Sequence, residues 1–144
     1  MNIVNKKAYY EYFVLDEFEA GIVLLGGEVK SIRNGNISFN DSYIYINNGE
    51  IWLKNFKVAR YKQMHKLVSH DDDREKKLLL TKSQIRKITK YLQNQGITCV
   101  PLKVFVHSNR IKIKIGVVKG KKLYDKKNAI KKKDINRDLD LNLK

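Results

Sequence analysis

One cysteine, one proline and three histidines stand among 144 residues, and each scarcity removes a class of explanation. Cys99 alone cannot make an internal disulfide, which excludes a stapled secreted scaffold and fits a reducing cytosol. No run approaches the roughly eighteen apolar residues that a membrane span requires. The N-terminus Met1-Asn2-Ile3-Val4-Asn5-Lys6-Lys7 lacks an apolar signal core, so a cytoplasmic protein is expected rather than a secreted one. Neither GxxxxGK[ST] nor GxGxxG occurs, and Gly26-Gly27 and Gly116…Gly120 match no phosphate-cradling loop. Acidic residues are also scarce: fifteen Asp and Glu against thirty Lys and Arg leave a net charge of +15. Such an excess says little about fold and much about partners, with polyphosphate foremost.

Enough apolar residues remain, 42%, for one domain with a real core and a short extension. Tyr9 to Leu15 alternates as a strand and is expected to continue, with a bend, through Gly21-Ile22-Val23-Leu24. Glu28 to Arg33 suits a short helix, with its acid in the first turn and its base in the last, and Asn34-Gly35 ends it. Ser42–Ile46 and Ile51–Phe56 flank Asn48-Gly49, a dipeptide made for a tight primed hairpin turn. Val58 to Arg74 is polar and reads as a surface loop. Thr81-Lys82-Ser83-Gln84 fits a capping box. Ile85, Ile88 and Leu92 then mark the buried face of a helix stopped by Gly96, with Lys82, Arg86, Lys87 and Lys90 pointing elsewhere. Val100–Val106 and Arg110–Val118 form a last pair about His107-Ser108-Asn109, the second alternating Ile and Lys strictly.

Short strands between turns, with one good helix, predict a mainly β fold: a small closed antiparallel barrel of the oligonucleotide-binding (OB-fold) type with accompanying short helices. A two-layer α+β sheet is the competing architecture. The barrel domain is expected over 1–118 and a basic C-terminal tail over 119–144. That tail holds ten Lys and Arg against four Asp, a net +6, and too few apolar residues to pack alone, so it is expected to order only on a partner.

Chemistry-bearing residues do not converge. His65 and His70 sit in a polar loop beside Asp71, with no third or fourth ligand at metal spacing, and Cys99 lies in a strand as a small core residue. No metal, no cofactor and no enzymatic activity are expected. Tyr9, Tyr10, Tyr12, Tyr43, Tyr45, Trp52 and Phe56 could stack on bases, though strand alternation assigns most of them to the core. The basic residues are different, because no core can absorb them. Each one that neutralises a phosphate releases a counterion, so binding should weaken steeply with salt.

Several blocks then follow in order: Asn5-Lys6-Lys7-Ala8, Phe18-Glu19-Ala20-Gly21-Ile22, Gly27-Glu28-Val29-Lys30-Ser31-Ile32-Arg33, Asp41-Ser42-Tyr43, Lys77-Leu78-Leu79-Leu80 and Gly120-Lys121-Lys122-Leu123-Tyr124-Asp125-Lys126. Together they closely resemble the SsrA-binding family, small protein B of bacterial trans-translation. The resemblance implies an OB-type barrel that grips the tRNA-like domain of transfer-messenger RNA (tmRNA). It implies delivery to ribosomes stalled on messages without a stop codon. RNA-contacting positions carry over as Asn5, Glu19 and Leu79, and the blocks around them add Lys6, Lys7, Tyr10, Lys30, Arg33 and Lys77 as RNA-facing candidates. Gly120, Lys121 and Lys122, with Asp125, Lys126 and Lys127, carry over as contacts in the decoding centre of the small ribosomal subunit. The tail would then lie as a helix in the empty mRNA channel. Where the family has Arg-His before the first strand, this chain has Tyr9-Tyr10. An arginine-rich turn is replaced by Asp71-Asp72-Asp73-Arg74-Glu75-Lys76, and Lys127 stands for an Arg, keeping charge but losing the bidentate fork.

The leading expectation is therefore a monomeric, non-enzymatic tmRNA-binding adaptor with no membrane role, since the tail lacks the aromatic, leucine-rich face of a membrane-surface helix. One alternative is a general barrel-type RNA-binding translation or ribosomal protein. The other, from a different class, is a hydrolase or nuclease built on His65, His70 and Asp71.

Overall fold

In the computed structural model, which describes residues 2–59 and 74–121, nine strands and three helices follow one another. They are β1 (Asn2–Val4), α1 (Lys6–Glu11), β2 (Tyr12–Ile22), α2 (Gly26–Arg33), β3 (Ile37–Ser38), β4 (Tyr43–Asn47), β5 (Glu50–Lys54), β6 (Lys57–Val58), β7 (Lys76–Leu79), α3 (Lys82–Leu92), β8 (Ile97–His107) and β9 (Arg110–Gly120). Seven strands pair in the order β1-β8-β4-β5-β7-β2-β9, and β9 pairs back onto β8. Six of them thus form a closed antiparallel ring, with β1 added at the edge of β8. Closure removes the unpaired sheet edges that an open sheet of these short strands would expose. The small barrel expected from the sequence is the fold observed. β3 and β6 form a separate two-stranded ribbon.

Strand parity decides what fills the ring. Phe18 and Ala20 of β2, Ile51 and Leu53 of β5, Leu78 of β7, and Ile113 and Ile115 of β9 are buried together in one cluster. Turn chemistry fixes the registers. Asn48 and Gly49 both have positive φ, 54° and 76°, and align Tyr45 with Trp52 across the β4–β5 hairpin. Ser108 and Asn109, at 51° and 63°, do the same for β8 and β9. Helix α3 starts on a reciprocal cap, Gln84 N–H donating to Thr81 Oγ1 and Thr81 N–H to Gln84 Oε1, each at 3.1 Å. Its Ile88 is fully buried, while Ile85 and Leu92 pack at the margin of the core.

Two expectations are corrected. Tyr9 and Tyr10 do not begin a strand but lie in α1, and β2 starts at Tyr12 and runs unbroken to Ile22, with a bulge between Val14 and Asp16. Alternating aromatics imitated a strand, but Asn5 decides the outcome. Its Oδ1 accepts from Ala8 N–H at 3.2 Å and its Nδ2 donates to the Pro101 carbonyl at 2.7 Å. A six-residue helix is unstable alone. This one is pinned to β8 by its cap and by Ala8, which packs with Val100, Leu102 and Val118. Gly116 makes room for that second cluster, since a Cβ there would come within 2.5 Å of Leu102 Cδ1.

The second correction concerns the basic residues, none of which the core was expected to absorb: Lys76 is fully buried. Glu28, the acid in the first turn of α2, is fully buried beside it. It accepts Leu25 N–H at 2.7 Å, and Arg74 grips it through Nη2 at 2.5 Å and Nε at 3.2 Å. Lys76 lies 3.8 Å from Glu28 Oε2 and donates to the Phe56 and Arg74 carbonyls at 3.1 and 2.7 Å. Charges leave water only when so surrounded. The cluster ties α2 to β7 and so fixes where Leu79 stands.

Candidate RNA interface

The outward faces of β2, β7 and β9 come from the parity that buries Phe18, Ala20 and Ile113. Glu17, Glu19 and Gly21 point out from β2, Lys112 and Lys114 from β9, and Lys77 and Leu79 from β7. Register then sets the neighbours. Glu19 faces Lys114 and Gly21 faces Lys112 on one side, and Gly21 faces Leu79 on the other. Gly21 has a specific role. A Cβ there would lie 3.3 Å from Leu79 Cβ, so its absence leaves the leucine free to lie across the strand. Leu79, the last residue of β7, is 53% exposed, a large apolar surface to leave in water.

Beside it opens a groove of about 430 Å³ with Ile22, Leu24, Leu79 and Ile111 as its apolar walls and Arg110 and Lys112 at its rim. An apolar floor with cationic edges suits an unstacked base carried on a phosphodiester backbone. Glu19 adds an exposed carboxylate, an acceptor for base amino groups. Of the neighbouring cations, Lys114 is engaged by Glu17 at 3.4 Å and Lys77 by Glu50 at 2.9 Å. Such exposed pairs exchange readily for phosphate, because they contribute little in water.

Of the expected RNA-facing residues, the fold brings Glu19, Lys77 and Leu79 to this one face. Lys6, Lys7 and Tyr10 are exposed on α1, Tyr10 at 78%, and form a second exposed set on the helix that packs against β8. Lys30 and Arg33 are exposed on α2, which packs against β6. Asn5 is set apart from all of these. It is 8% exposed and its side chain is engaged in capping and pinning α1. Gly120 ends β9, and Lys121 follows it against α1. Lys122, Asp125, Lys126 and Lys127 lie outside the described residues, as do His65, His70, Asp71 and the tail from 122 onward.

Lys112 and Arg110 were not singled out from the sequence. The Ile-Lys alternation of β9 placed the lysines outward, but only the β2–β9 register puts Lys112 opposite Gly21. Among the aromatics, Phe56 is fully buried, whereas Tyr43 is at the surface and Tyr45 bonds Glu75 through its hydroxyl. Among the described residues no cluster of three metal-ligating side chains occurs. Burial pushes the Cys99 thiol up to about 12, which leaves it protonated and inert at neutral pH. No described helix is long and apolar enough to cross a membrane.

Comparison with known proteins bears on this arrangement directly. A family model described as SmpB protein matches residues 2–144. The SsrA-binding protein of Geotalea uraniireducens (strain Rf4) is 46% identical over 140 residues, which cover 97% of this chain and 92% of the relative. That of Clostridium novyi (strain NT) is 47% identical over 140 residues, covering 97% and 88%. A solved structure described as "tmRNA-SmpB: a journey to the center of the bacterial ribosome" contains a chain 34% identical to this one. The two superpose with a TM-score of 0.72 over 90% of this chain and 94% of that one.

Proposed function

The chain belongs to the SmpB family, and from that membership we propose that it is a tmRNA-binding adaptor of trans-translation. It binds the tRNA-like domain of tmRNA and accompanies it to ribosomes stalled on messages without a stop codon. The observation that supports this reading is the convergence of Glu19 and Leu79 on one outward face beside a basic-rimmed apolar groove. The protein acts in the cytoplasm as a monomer and performs no bond-breaking step of its own. Its contribution is positional: the barrel grips RNA, and the segment after β9 addresses the small subunit. Lys122, Asp125, Lys126 and Lys127 meet the decoding centre, and the rest of the tail occupies the empty mRNA channel. Eight Lys and Arg against four Asp over 122–144, a net +4, favour folding along phosphates once they neutralise it.

Truncation after Lys121 tests this division without cutting into β9. The shortened chain is expected to keep tmRNA affinity within about threefold, since only peripheral charge is lost, while peptide tagging on stalled ribosomes disappears. Equal loss of both activities would contradict it. Competition between tmRNA and an unrelated structured RNA separates the adaptor from a general barrel-type RNA binder, which would not discriminate between them.

A further inference from the structure

Every helix ends with carbonyls that lack intrahelical donors, and α1 has no basic residue in its own last turn to serve them. Tyr12 N–H takes the Ala8 carbonyl. The Tyr9 carbonyl accepts from Nζ of Lys121, 3.4 Å away and 112 residues along the chain. The same ammonium stands over the Phe13 ring, 5.1 Å from its centroid, within cation–π range. The register of β2 and β9 accounts for the meeting. Tyr12 faces Gly120 and Phe13 faces Lys119, so the first residue past β9 lands against the last turn of α1. The negative end of the helix and the negative face of the ring attract the same cation.

We infer that Lys121 is a positioning residue rather than a ribosomal RNA contact, and that Phe13 is its seat. Resting on the adaptor reading above, this separates Lys121 from Lys122, which the sequence resemblance assigned alike to the decoding centre. The ammonium of Lys121 is engaged by the Tyr9 carbonyl and the Phe13 ring, and this fixes the direction in which the tail leaves the barrel. The start of the tail and α1, with Lys6, Lys7 and Tyr10, then dock as one body.

The experiment uses the full chain with Phe13→Leu, Phe13→Tyr, Lys121→Gln and the Phe13→Leu/Lys121→Gln double variant. By NMR, the Lys121 methylene protons next to Nζ should show a ring-current upfield shift in the parent and in Phe13→Tyr, lost in Phe13→Leu. A cation–π contact at a half-exposed site implies a tagging loss of about two- to fivefold in Phe13→Leu. The double variant should be no worse than Lys121→Gln, and Phe13→Tyr should retain full tagging. All four should bind tmRNA like the parent. Parent-level tagging in Phe13→Leu beside a large loss in Lys121→Gln would overturn the inference and return Lys121 to direct RNA contact. Failure of the parent itself to bind tmRNA would sink the adaptor reading instead, and the ring-current shift would still decide whether the seat exists.

Discussion

Glutamate and lysine do opposite work in two parts of this barrel. Beneath α2, Glu28, Arg74 and Lys76 form a buried knot in which each charge meets a partner or a carbonyl. On the outer face of β2, β7 and β9, Glu17, Glu19, Lys77, Lys112 and Lys114 stand in water, and their ion pairs are long or solvent-exposed. Lys76 and Lys77 are consecutive in sequence yet belong to different regions, because one residue of strand parity separates the interior from the surface. The buried knot holds the shape, and the exposed set is available for RNA.

Breaking the knot should have the largest effect on stability. Glu28→Ala would leave Lys76 buried beside a lost counter-charge, and a destabilisation of about 3–5 kcal/mol is expected, read as a lowered denaturant midpoint. A cost below about 1 kcal/mol would mean that the cluster adds little beyond packing. The same variant should also weaken tmRNA binding, because the cluster holds the strand that carries Leu79.

Acid offers a second way to sharpen the contrast. Burial alone would raise the Glu28 carboxyl, but hydrogen bonds from Arg74 and the Leu25 amide, with the charge of Lys76, hold it below the usual carboxylate range. Asp16 behaves similarly: partial burial is outweighed by Lys87 at 3.2 Å, the Glu17 amide at 2.9 Å and Tyr91 at 3.1 Å. A depressed folded-state value means the unfolded chain binds protons first as pH falls. The stabilisation is therefore complete above about pH 5 and drains away as pH drops through about 4 and below. The acid slope should shrink in Glu28→Gln, measured by urea unfolding between pH 3 and 7. An unchanged slope would place the linkage elsewhere.

At the small end stands the exposed pair. Glu50→Ala removes the partner of Lys77 at a site where both side chains are well solvated. The expected stability change is within about 1 kcal/mol, with tmRNA affinity equal to the parent or slightly higher as Lys77 is released toward phosphate. A large stability loss would erase the distinction between the two regions.

Much of this was legible in the sequence, and the reasons differ by element. Asn48-Gly49, Thr81…Gln84 and the alternation of β9 encode their structure within a few residues, so their turn, cap and strand could be read locally. Helix α1 could not, because its stability comes from Asn5 reaching the Pro101 carbonyl across the fold. Lys76 was counted among the basic residues that no core could absorb, because nothing local records that it meets Glu28. At the candidate interface, Glu19 and Leu79 were read from the family's motif blocks. Lys112 and Arg110 were not, since their nearness to Leu79 depends on two strand registers that only the closed ring fixes.

The most direct test of the account is tmRNA affinity measured at constant salt for the parent and for the Glu19→Ala and Leu79→Ala variants, with thermal unfolding recorded in parallel. Both side chains are exposed, so unfolding midpoints should hold. Loss of a base contact should cost each variant about tenfold in Kd, in line with roughly 1–3 kcal/mol for a hydrogen bond to a charged acceptor or for burying a leucine side chain. Parent-level affinity in both variants would contradict the placement of the RNA grip on the β2–β7–β9 face.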